Sequence, residues 1–132
     1  MKVLADSSAW VELLRSTGSP TELALRRRLK AGEVATTDVV ITEVLAGATS
    51  AARTAGIERA LSACVYYPQR RVIDAVAAAE LYRRCRLGGE TPRQLTDCLI
   101  AAVAVRNQVS VLQRDRDFAV LGRHTELKLV NE

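Results

Sequence analysis

Acidic side chains stand in this sequence at positions where a lone carboxylate would be destabilising. Asp6 directly follows the apolar stretch "VLA", and Asp97 lies within "LTDCLIAAVAV", which is apolar on nearly every side of a helix. Glu43 interrupts the apolar "VVITEVLAG", and Asp115 and Asp117 follow the apolar "VSVL". An isolated ionised carboxylate in such surroundings takes up a proton, because its pKa rises on burial. A cation shared by several carboxylates removes this problem, so the pattern predicts a metal site.

The ligands that these residues offer are oxygen atoms alone, with no histidine or thiolate in the set. Oxygen ligands favour Mg²⁺ or Mn²⁺ over zinc. One or two such ions can activate water and stabilise the leaving oxygen in phosphodiester cleavage. The residue types therefore indicate metal-assisted hydrolysis of a phosphodiester.

Each acid also has a structural explanation that stays open when it is taken alone. Asp6 is placed to cap the first helix, and Asp97 lies one turn after Arg93, with which it can pair. Glu43 can be an exposed helix residue, and the two acids of "RDRD" can form a solvated turn with local ion pairs. Together, however, these explanations leave the arrangement of the acids to chance.

The elements that must position the acids alternate between strand and helix. Strands are predicted at residues 2–5, 34–36, 65–67, 109–112 and 127–130. Helices are predicted from residue 9 to 15, 21 to 30, 37 or 38 to 46, 51 to 63, 72 to 87 and from "TPRQ" to about 107, with a helical turn at 118–121. In "TPRQ", Thr91 can cap the helix, Pro92 takes its first position and Gln94 completes a capping box.

This alternation predicts an α/β fold with a central parallel sheet of four or five strands, covered by helices on both faces. In such sheets, ligands bind beyond the carboxyl ends of the strands, near the switch in strand order. Asp6 and Asp115 would emerge at these ends, and Glu43 and Asp97 would reach the same place from helices.

The size and composition of the chain predict one domain spanning residues 1–132, long enough to form its own core. The N-terminus lacks a basic flank followed by an apolar segment, and no apolar run is long enough to span a bilayer. We therefore expect a cytoplasmic protein without membrane contact. The odd number of cysteines, three, without C-x-x-C spacing predicts reduced, buried thiols. The only histidine, His124, disfavours a histidine-based mechanism.

The charge of the chain suits a polyanionic partner. The chain has 19 basic and 15 acidic residues, a formal net charge of +4. Without the five acids named above, 10 acids remain against 19 basic residues, so the rest of the chain carries a net charge of +9. An acidic pit within a basic surround favours binding to a phosphate backbone. Candidate contacts to such a backbone are Arg26–Arg28, Arg93, Arg114 and Arg116, although arginines on helices are often only solvated. The few aromatic residues make base stacking a minor source of selectivity.

Four blocks of the sequence resemble a known family in their order and approximate spacing. "LADSSAWVELL", "TEVLAG", "DCLIAAVA" and "RDRDF" are similar to the motifs of PIN-domain ribonucleases, and within them to the VapC toxins of bacterial VapBC toxin–antitoxin pairs. The resemblance covers essentially the whole chain. It implies a three-layer α/β/α PIN-like fold, Mg²⁺- or Mn²⁺-dependent cleavage of RNA, a homodimer, and inhibition by a cognate VapB-type antitoxin.

The resemblance also implies roles for individual residues. Asp6, Glu43, Asp97 and Asp115 match the family's catalytic and metal-binding acids, and Asp117 matches a further acid found in many members. Ser8 matches a small hydroxyl residue that can support the metal shell. One departure concerns the acids of the last block, because many members carry Ser or Thr just before them where this chain has Gln113-Arg114.

Two other functions fit part of the pattern. Phosphatases of the haloacid-dehalogenase type also place an aspartate after the first strand and use Mg²⁺, but they need a second acid two residues later, where this chain has Ser8. A PIN fold can also serve as a catalytically inactive module that binds RNA or protein. Loss of acids would mark such a module, and here all five are present.

Overall fold

The computed structural model describes residues 1–130, which form four short strands and seven helices. The strands are β1 (Val3–Ala5), β2 (Val34–Thr36), β3 (Val65–Tyr66) and β4 (Ser110–Leu112). The helices are α1 (Ser7–Leu14), α2 (Pro20–Lys30), α3 (Asp38–Ala46), α4 (Ala51–Ser62), α5 (Arg71–Leu87), α6 (Leu95–Arg106) and α7 (Arg116–His124). Within residues 1–130, no helix has both the length and the apolar character required to cross a membrane.

The four strands form one parallel sheet in the order β3-β2-β1-β4. The chain adds β2 and β3 on one side of β1, then returns to add β4 on the other side. Because crossovers between parallel strands are right-handed, these two directions place α1–α4 on one face and α5–α7 on the other. The predicted three-layer α/β/α fold is confirmed. The strand order switches between β1 and β4, where ligands of such sheets bind.

The core follows from the apolar runs of the central elements. All three residues of β1 are buried, as expected for a strand covered on both faces. Trp10 of α1, Ile100 of α6 and Phe118 of α7 are also fully buried. The alanines of α6, among them Ala101 and Ala104, let this helix pack closely on its neighbours. Asp97 of the same helix is buried as well.

The helix predicted to open at "TPRQ" begins instead at Leu95, and the predicted capping box is wrong. Gln94 is the N-cap residue, but its side chain does not cap the helix. The acceptor comes from elsewhere, because Asp117 Oδ2 accepts hydrogen bonds from the backbone N–H groups of Arg93 and Gln94, each at 2.9 Å. A distant carboxylate has replaced the local cap.

The C-terminal part of the described chain also departs from the prediction. The helical turn expected at residues 118–121 is the longer α7, because Asp115 caps it by accepting from the Asp117 N–H at 2.8 Å. The strand expected at 127–130 forms only an isolated parallel bridge, between Val111 and Leu129. Both hydrogen bonds of this bridge go to Val111, because the three-residue β4 is too short to extend the ladder.

The three cysteines are free, as predicted. Cys85 and Cys98 are buried, whereas Cys64 is only half-buried. Burial raises the pKa of the Cys98 thiol to about 12 and that of Cys64 to about 11, so both stay protonated at neutral pH.

Candidate metal centre

Asp6 lies at the carboxyl end of β1, where the strand passes into α1. Its N–H donates to the Leu112 carbonyl at 2.9 Å, which continues the pairing of β1 with β4 by one residue. Its side chain caps α1, because Asp6 Oδ2 accepts from the Ser8 N–H at 3.0 Å. Asp6 is only 1% exposed. Capping and burial at the sheet edge are thus combined in one residue.

Three further acids meet beside the end of β4. Asp115 follows this strand as the N-cap of α7, Asp117 lies in the first turn of α7, and Asp97 comes from the first turn of α6. One carboxylate oxygen from each of the three lies within 4.8 Å of the others, a spacing that suits a shared metal ion. The proposed pairing of Asp97 with Arg93 is absent among residues 1–130, because Arg93 contacts Asp115 and Asp117 instead.

Glu43 reaches this group from the middle of α3. The Ser7 hydroxyl donates to Glu43 Oε1 at 3.0 Å and lies 3.5 Å from Asp6 Oδ1, so it connects the two acids. Thr96 of α6 lies near the Glu43 carboxylate and opposes the rise in its pKa. Glu43 is half-buried, and its hydrogen bond with Ser7 orients it towards Asp6.

The pKa shifts of the acids reflect burial among like charges. Burial raises the pKa of Asp6, although hydrogen bonds from Ser8 oppose the rise. Burial also raises the pKa of Glu43, with further contributions from the negative charges of Asp6 and Asp115. Asp97 is affected most: burial, the charge of Asp6 and a hydrogen bond to Asp117 raise its pKa to about 8. This cluster, Asp6, Glu43, Asp97, Asp115 and Asp117, is called the acidic centre below.

Asp117 differs from the other members because its carboxylate is already well supplied with donors. Besides the two backbone N–H groups that precede α6, the Arg93 guanidinium approaches Oδ1 at 3.4 Å. Burial alone would raise the pKa of Asp117, but these donors and the Asp97 carboxyl hold it below its usual range. Asp117 is 1% exposed, so the explanation of a solvated turn is wrong for this acid.

Neutral hydrogen-bonding groups support the acidic centre from behind. The Ser8 hydroxyl donates to Asp6 Oδ2 at 2.6 Å and accepts from the Arg114 N–H at 2.9 Å, so it joins the ends of β1 and β4. Gln113 Oε1 accepts from the Asp115 N–H at 2.6 Å. Gln113 therefore supplies the acceptor for Asp115 at a position where the sequence departs from the family pattern.

Arginines surround the acidic centre. Arg93, Arg114 and Arg116 are each more than half exposed and each lies near an acid: Arg93 near Asp115 and Asp117, Arg114 near Glu12, and Arg116 near Asp117. All three form a basic rim at the carboxyl edge of the sheet.

The basic run of α2 lies elsewhere. Arg28 contacts the Met1 carbonyl and Glu33, which lie before β1 and β2 at the opposite edge of the sheet. Arg26 pairs with Glu22 on the same helix. The structure therefore separates Arg28, a predicted RNA contact, from the acidic centre. The ring of His124 hydrogen-bonds Glu90 at 2.8 Å, and Glu90 is not a member of the acidic centre.

Sequence reasoning missed Ser7, Thr96 and Gln113. The repeated hydroxyl in "DSS" was a usable signal for Ser7, because α1 starts directly after Asp6 and points its first turn at the sheet edge. Gln113 was noted only as a departure from the family pattern, and Thr96 gave no signal, since its position near Glu43 depends on which elements meet.

The donor set of the acidic centre fits a divalent cation. It consists of carboxylate oxygens with hydroxyl and amide support, which is the chemistry that Mg²⁺ and Mn²⁺ prefer. A site without a cation leaves several acids facing one another, as the raised pKa values of Asp6, Glu43 and Asp97 record. The arrangement is suited to holding a cation beside a basic rim that attracts a polyanion.

Comparison with known proteins gives consistent results. The family model of the PIN domain matches residues 3–123. The chain is 39% identical over 128 residues to VapC ribonuclease Mb1587 of Mycobacterium bovis and to ribonuclease VapC11 of Mycobacterium tuberculosis, covering 96% of this chain and of each relative. Its fold is similar to VapBC2 from Rickettsia felis, solved bound to a promoter DNA fragment, with a TM-score of 0.77, 16% identity, and 100% and 99% of the two chains covered.

Proposed function

The chain belongs to the PIN domain family, and we propose on this premise that it is a metal-dependent endoribonuclease, the toxin of a type II toxin–antitoxin pair. The observation that carries the proposal is the acidic centre itself, in which buried and half-buried carboxylates from four separate segments lie close together. The 39% identity to VapC ribonucleases over nearly the full length supports the choice of RNA as substrate.

Four acids would hold the metal ion. Asp6, Asp97 and Asp115 are the principal ligands, and Glu43 binds directly or through water. Mg²⁺ is the expected ion, with Mn²⁺ as a substitute. When bound, it would activate water and neutralise charge on the phosphate in the transition state. Asp117, whose oxygens already accept three hydrogen bonds, contributes at most one further contact.

The other residues of the site orient the reactants. Ser7 holds Glu43 so that its carboxylate can position the attacking water, with Thr96 nearby. Ser8 fixes Asp6, and the rim arginines Arg93, Arg114 and Arg116 bind phosphates of the RNA backbone. Because water rather than the ribose 2′-hydroxyl attacks, cleavage leaves a 5′-phosphate and a 3′-hydroxyl.

The partners follow from the same family relationship. A cognate VapB-type antitoxin would bind the chain and inhibit it, since the Rickettsia felis neighbour is a VapBC assembly. We further propose that residues 1–132 act as a single PIN domain, that the chain forms a homodimer, and that it works in the cytoplasm, where RNA and the antitoxin are available.

Sequencing of RNA 5′ ends after brief induction tests this function. Wild-type protein should create new 5′-phosphate ends at defined positions, and the Asp6→Asn control should not. Equal patterns of ends in the two cultures would contradict the proposal, as would ends that carry a 5′-hydroxyl.

A further inference from the structure

A groove opens beside the acidic centre on the α1–α4 face of the molecule. It is lined by α1, α3, α4 and the loop between α3 and α4, and its volume is about 340 Å³. Ser7 and Glu43 form one end, which they share with the acidic centre. Ser7 and Glu43, which are joined by a hydrogen bond, belong to both, so the groove adjoins the acidic centre. We call it the flanking groove.

The sides of the flanking groove are apolar. Val11 of α1, Val44 of α3 and Ile57 of α4 face it, together with Ala48 of the loop. Its volume is at the lower end of the roughly 300–1,000 Å³ found for small-molecule sites. The groove therefore accommodates one planar group such as a nucleobase with its sugar.

The far end of the flanking groove is basic. Arg15 at the end of α1 and Arg53 of α4 both line it. Arg53 Nη2 donates to the Leu14 carbonyl at 3.1 Å, which ties the guanidinium to α1 and limits its orientation. Among residues 1–130, Arg53 forms no ion pair with an acid. A fixed guanidinium with remaining donors is suited to binding a phosphate.

We propose that the flanking groove binds one nucleotide of single-stranded RNA next to the bond cleaved at the acidic centre, with Arg15 and Arg53 contacting its phosphate. The inference rests on the proposed ribonuclease function. The parts of a nucleotide match the parts of the groove. The cleaved bond would lie at the end with Ser7 and Glu43, the base would pack on the apolar sides, and the phosphate would contact the basic end. Charge complementarity selects this occupant, because the cationic end attracts a polyanion and the acidic end accepts its backbone only with a cation.

RNA-binding measurements with groove variants test the proposal. The background is Asp97→Asn, which removes cleavage, and the probe is a fluorescein-labelled single-stranded 12-mer RNA of random sequence, followed by anisotropy in excess Mg²⁺ at several salt concentrations. Arg53→Ala removes the cation, and Ala48→Phe fills the groove without changing charge. Arg59→Ala, an exposed arginine of α4 that does not line the groove, is the matched control.

Arg53→Ala should weaken RNA binding about tenfold, as expected for loss of one charge-assisted contact. It should also reduce the slope of log affinity against log salt by about 0.7, the value for one phosphate contact to a single strand. Ala48→Phe should weaken binding to a similar extent with an unchanged slope, and Arg59→Ala should change neither quantity.

Two results separate failure of this inference from failure of the proposed function. Wild-type cleavage of cellular RNA, combined with unchanged 12-mer binding in Arg53→Ala and Ala48→Phe, would overturn the groove alone. Loss of antitoxin inhibition in Arg53→Ala and Ala48→Phe, made without Asp97→Asn so that they cleave RNA, with RNA binding unchanged, would assign the groove to a protein partner and also overturn the inference. Absence of RNA cleavage by the wild type and of RNA binding by Asp97→Asn would overturn both.

Discussion

Two buried aspartates on neighbouring helices, Asp74 of α5 and Asp97 of α6, have opposite surroundings. Asp74 is 1% exposed and Asp97 is 5% exposed, so burial is nearly equal. Asp74 accepts from Arg106 Nε at 2.9 Å and Nη2 at 2.8 Å, and from the Arg70 N–H at 2.6 Å. The charged neighbours that act on the pKa of Asp97 are all acids.

The difference lies in the sign of the charge that faces each carboxylate. Burial would raise the pKa of both, but Arg106 and the Arg70 N–H hold the pKa of Asp74 below its usual range. No arginine does this for Asp97, whose pKa rises to about 8. A buried carboxylate that is paired with an arginine belongs to the fold, and removal of either partner destabilises the protein. A buried carboxylate among other carboxylates is repelled by them, and a bound metal ion can offset this repulsion.

The largest expected effect is on RNA cleavage, which should depend on Asp97 and Asp6 but not on Asp74. Asp97→Asn and Asp6→Asn should reduce RNA cleavage by about 10²–10³-fold or more, the scale of removing one charge-stabilising group from an active site. Asp74→Asn, measured on folded protein at the same temperature, should retain cleavage within a few-fold. Circular dichroism checks that each variant is folded. Near-normal cleavage by Asp97→Asn would contradict the assignment.

For the stability of the fold, we expect Asp74 to be the important residue. Asp74→Ala leaves Arg106 without its carboxylate, and we expect a loss of about 2–3 kcal/mol in the free energy of unfolding. This is less than the 3–5 kcal/mol of a fully buried pair, because the Arg106 side chain is 22% exposed to water. Urea unfolding measures it. A loss below about 0.5 kcal/mol would show that Asp74 is not the structural acid described here.

A smaller effect tests the neutral support of the acidic centre. Ser8→Ala removes the hydroxyl that donates to Asp6 and accepts from the Arg114 N–H. Metal affinity and cleavage should each fall about tenfold, at the lower end of the 10–100-fold seen for groups that orient metal ligands. Ser62→Ala, at the end of α4, is the control. Equal metal affinity in Ser8→Ala and wild type would assign Ser8 a purely capping role.

The smallest effect concerns pH dependence without metal. In EDTA, the unfolded chain loses the Asp97 proton near the usual pKa of 3.8, whereas the folded chain keeps it until about pH 8. The wild type therefore loses stability as pH rises through this window. Asparagine does not titrate, so Asp97→Asn should melt above the wild type at pH 8 by about 4 °C or more, with a smaller difference at pH 5.

Asp74→Asn should show the opposite trend, because the pKa of Asp74 is lowered by folding. Its stabilising contribution is present above the unfolded pKa and disappears as pH falls through the folded one. The deficit of Asp74→Asn relative to wild type should thus be greater at pH 7 than at pH 3. Parallel melting curves of the two variants across pH would show that both acids have equivalent surroundings.

Much of the fold could be predicted from the sequence, because its signals are local. Alternating apolar strands and helices gave the parallel sheet, and the position of Asp6 after "VLA" gave its place at the sheet edge. The start of α6 could not be predicted, since its N–H groups are satisfied by Asp117, more than twenty residues later. The same applies to the missing fifth strand, which depends on the length of its partner β4.

For the candidate site, the acids were predicted because each is anomalous in its own segment. Their supports were not, because Thr96 and Gln113 are ordinary residues until the fold brings α3, α6 and the end of β4 together. Arg28 was expected near the substrate, but it lies at the other edge of the sheet. A basic run on a helix indicates a charged surface, and the sequence does not tell which edge of the sheet that surface faces. Structure alone places it away from the acids.

Titration calorimetry with Mn²⁺ tests the central claim, that acids from separate segments form one site for a divalent cation. The account predicts that wild-type protein and Asp74→Asn bind Mn²⁺ with similar affinity, and that Asp97→Asn binds it at least about 10²-fold more weakly. Equal Mn²⁺ affinity in the wild type and Asp97→Asn, or no binding by the folded wild type, would contradict it.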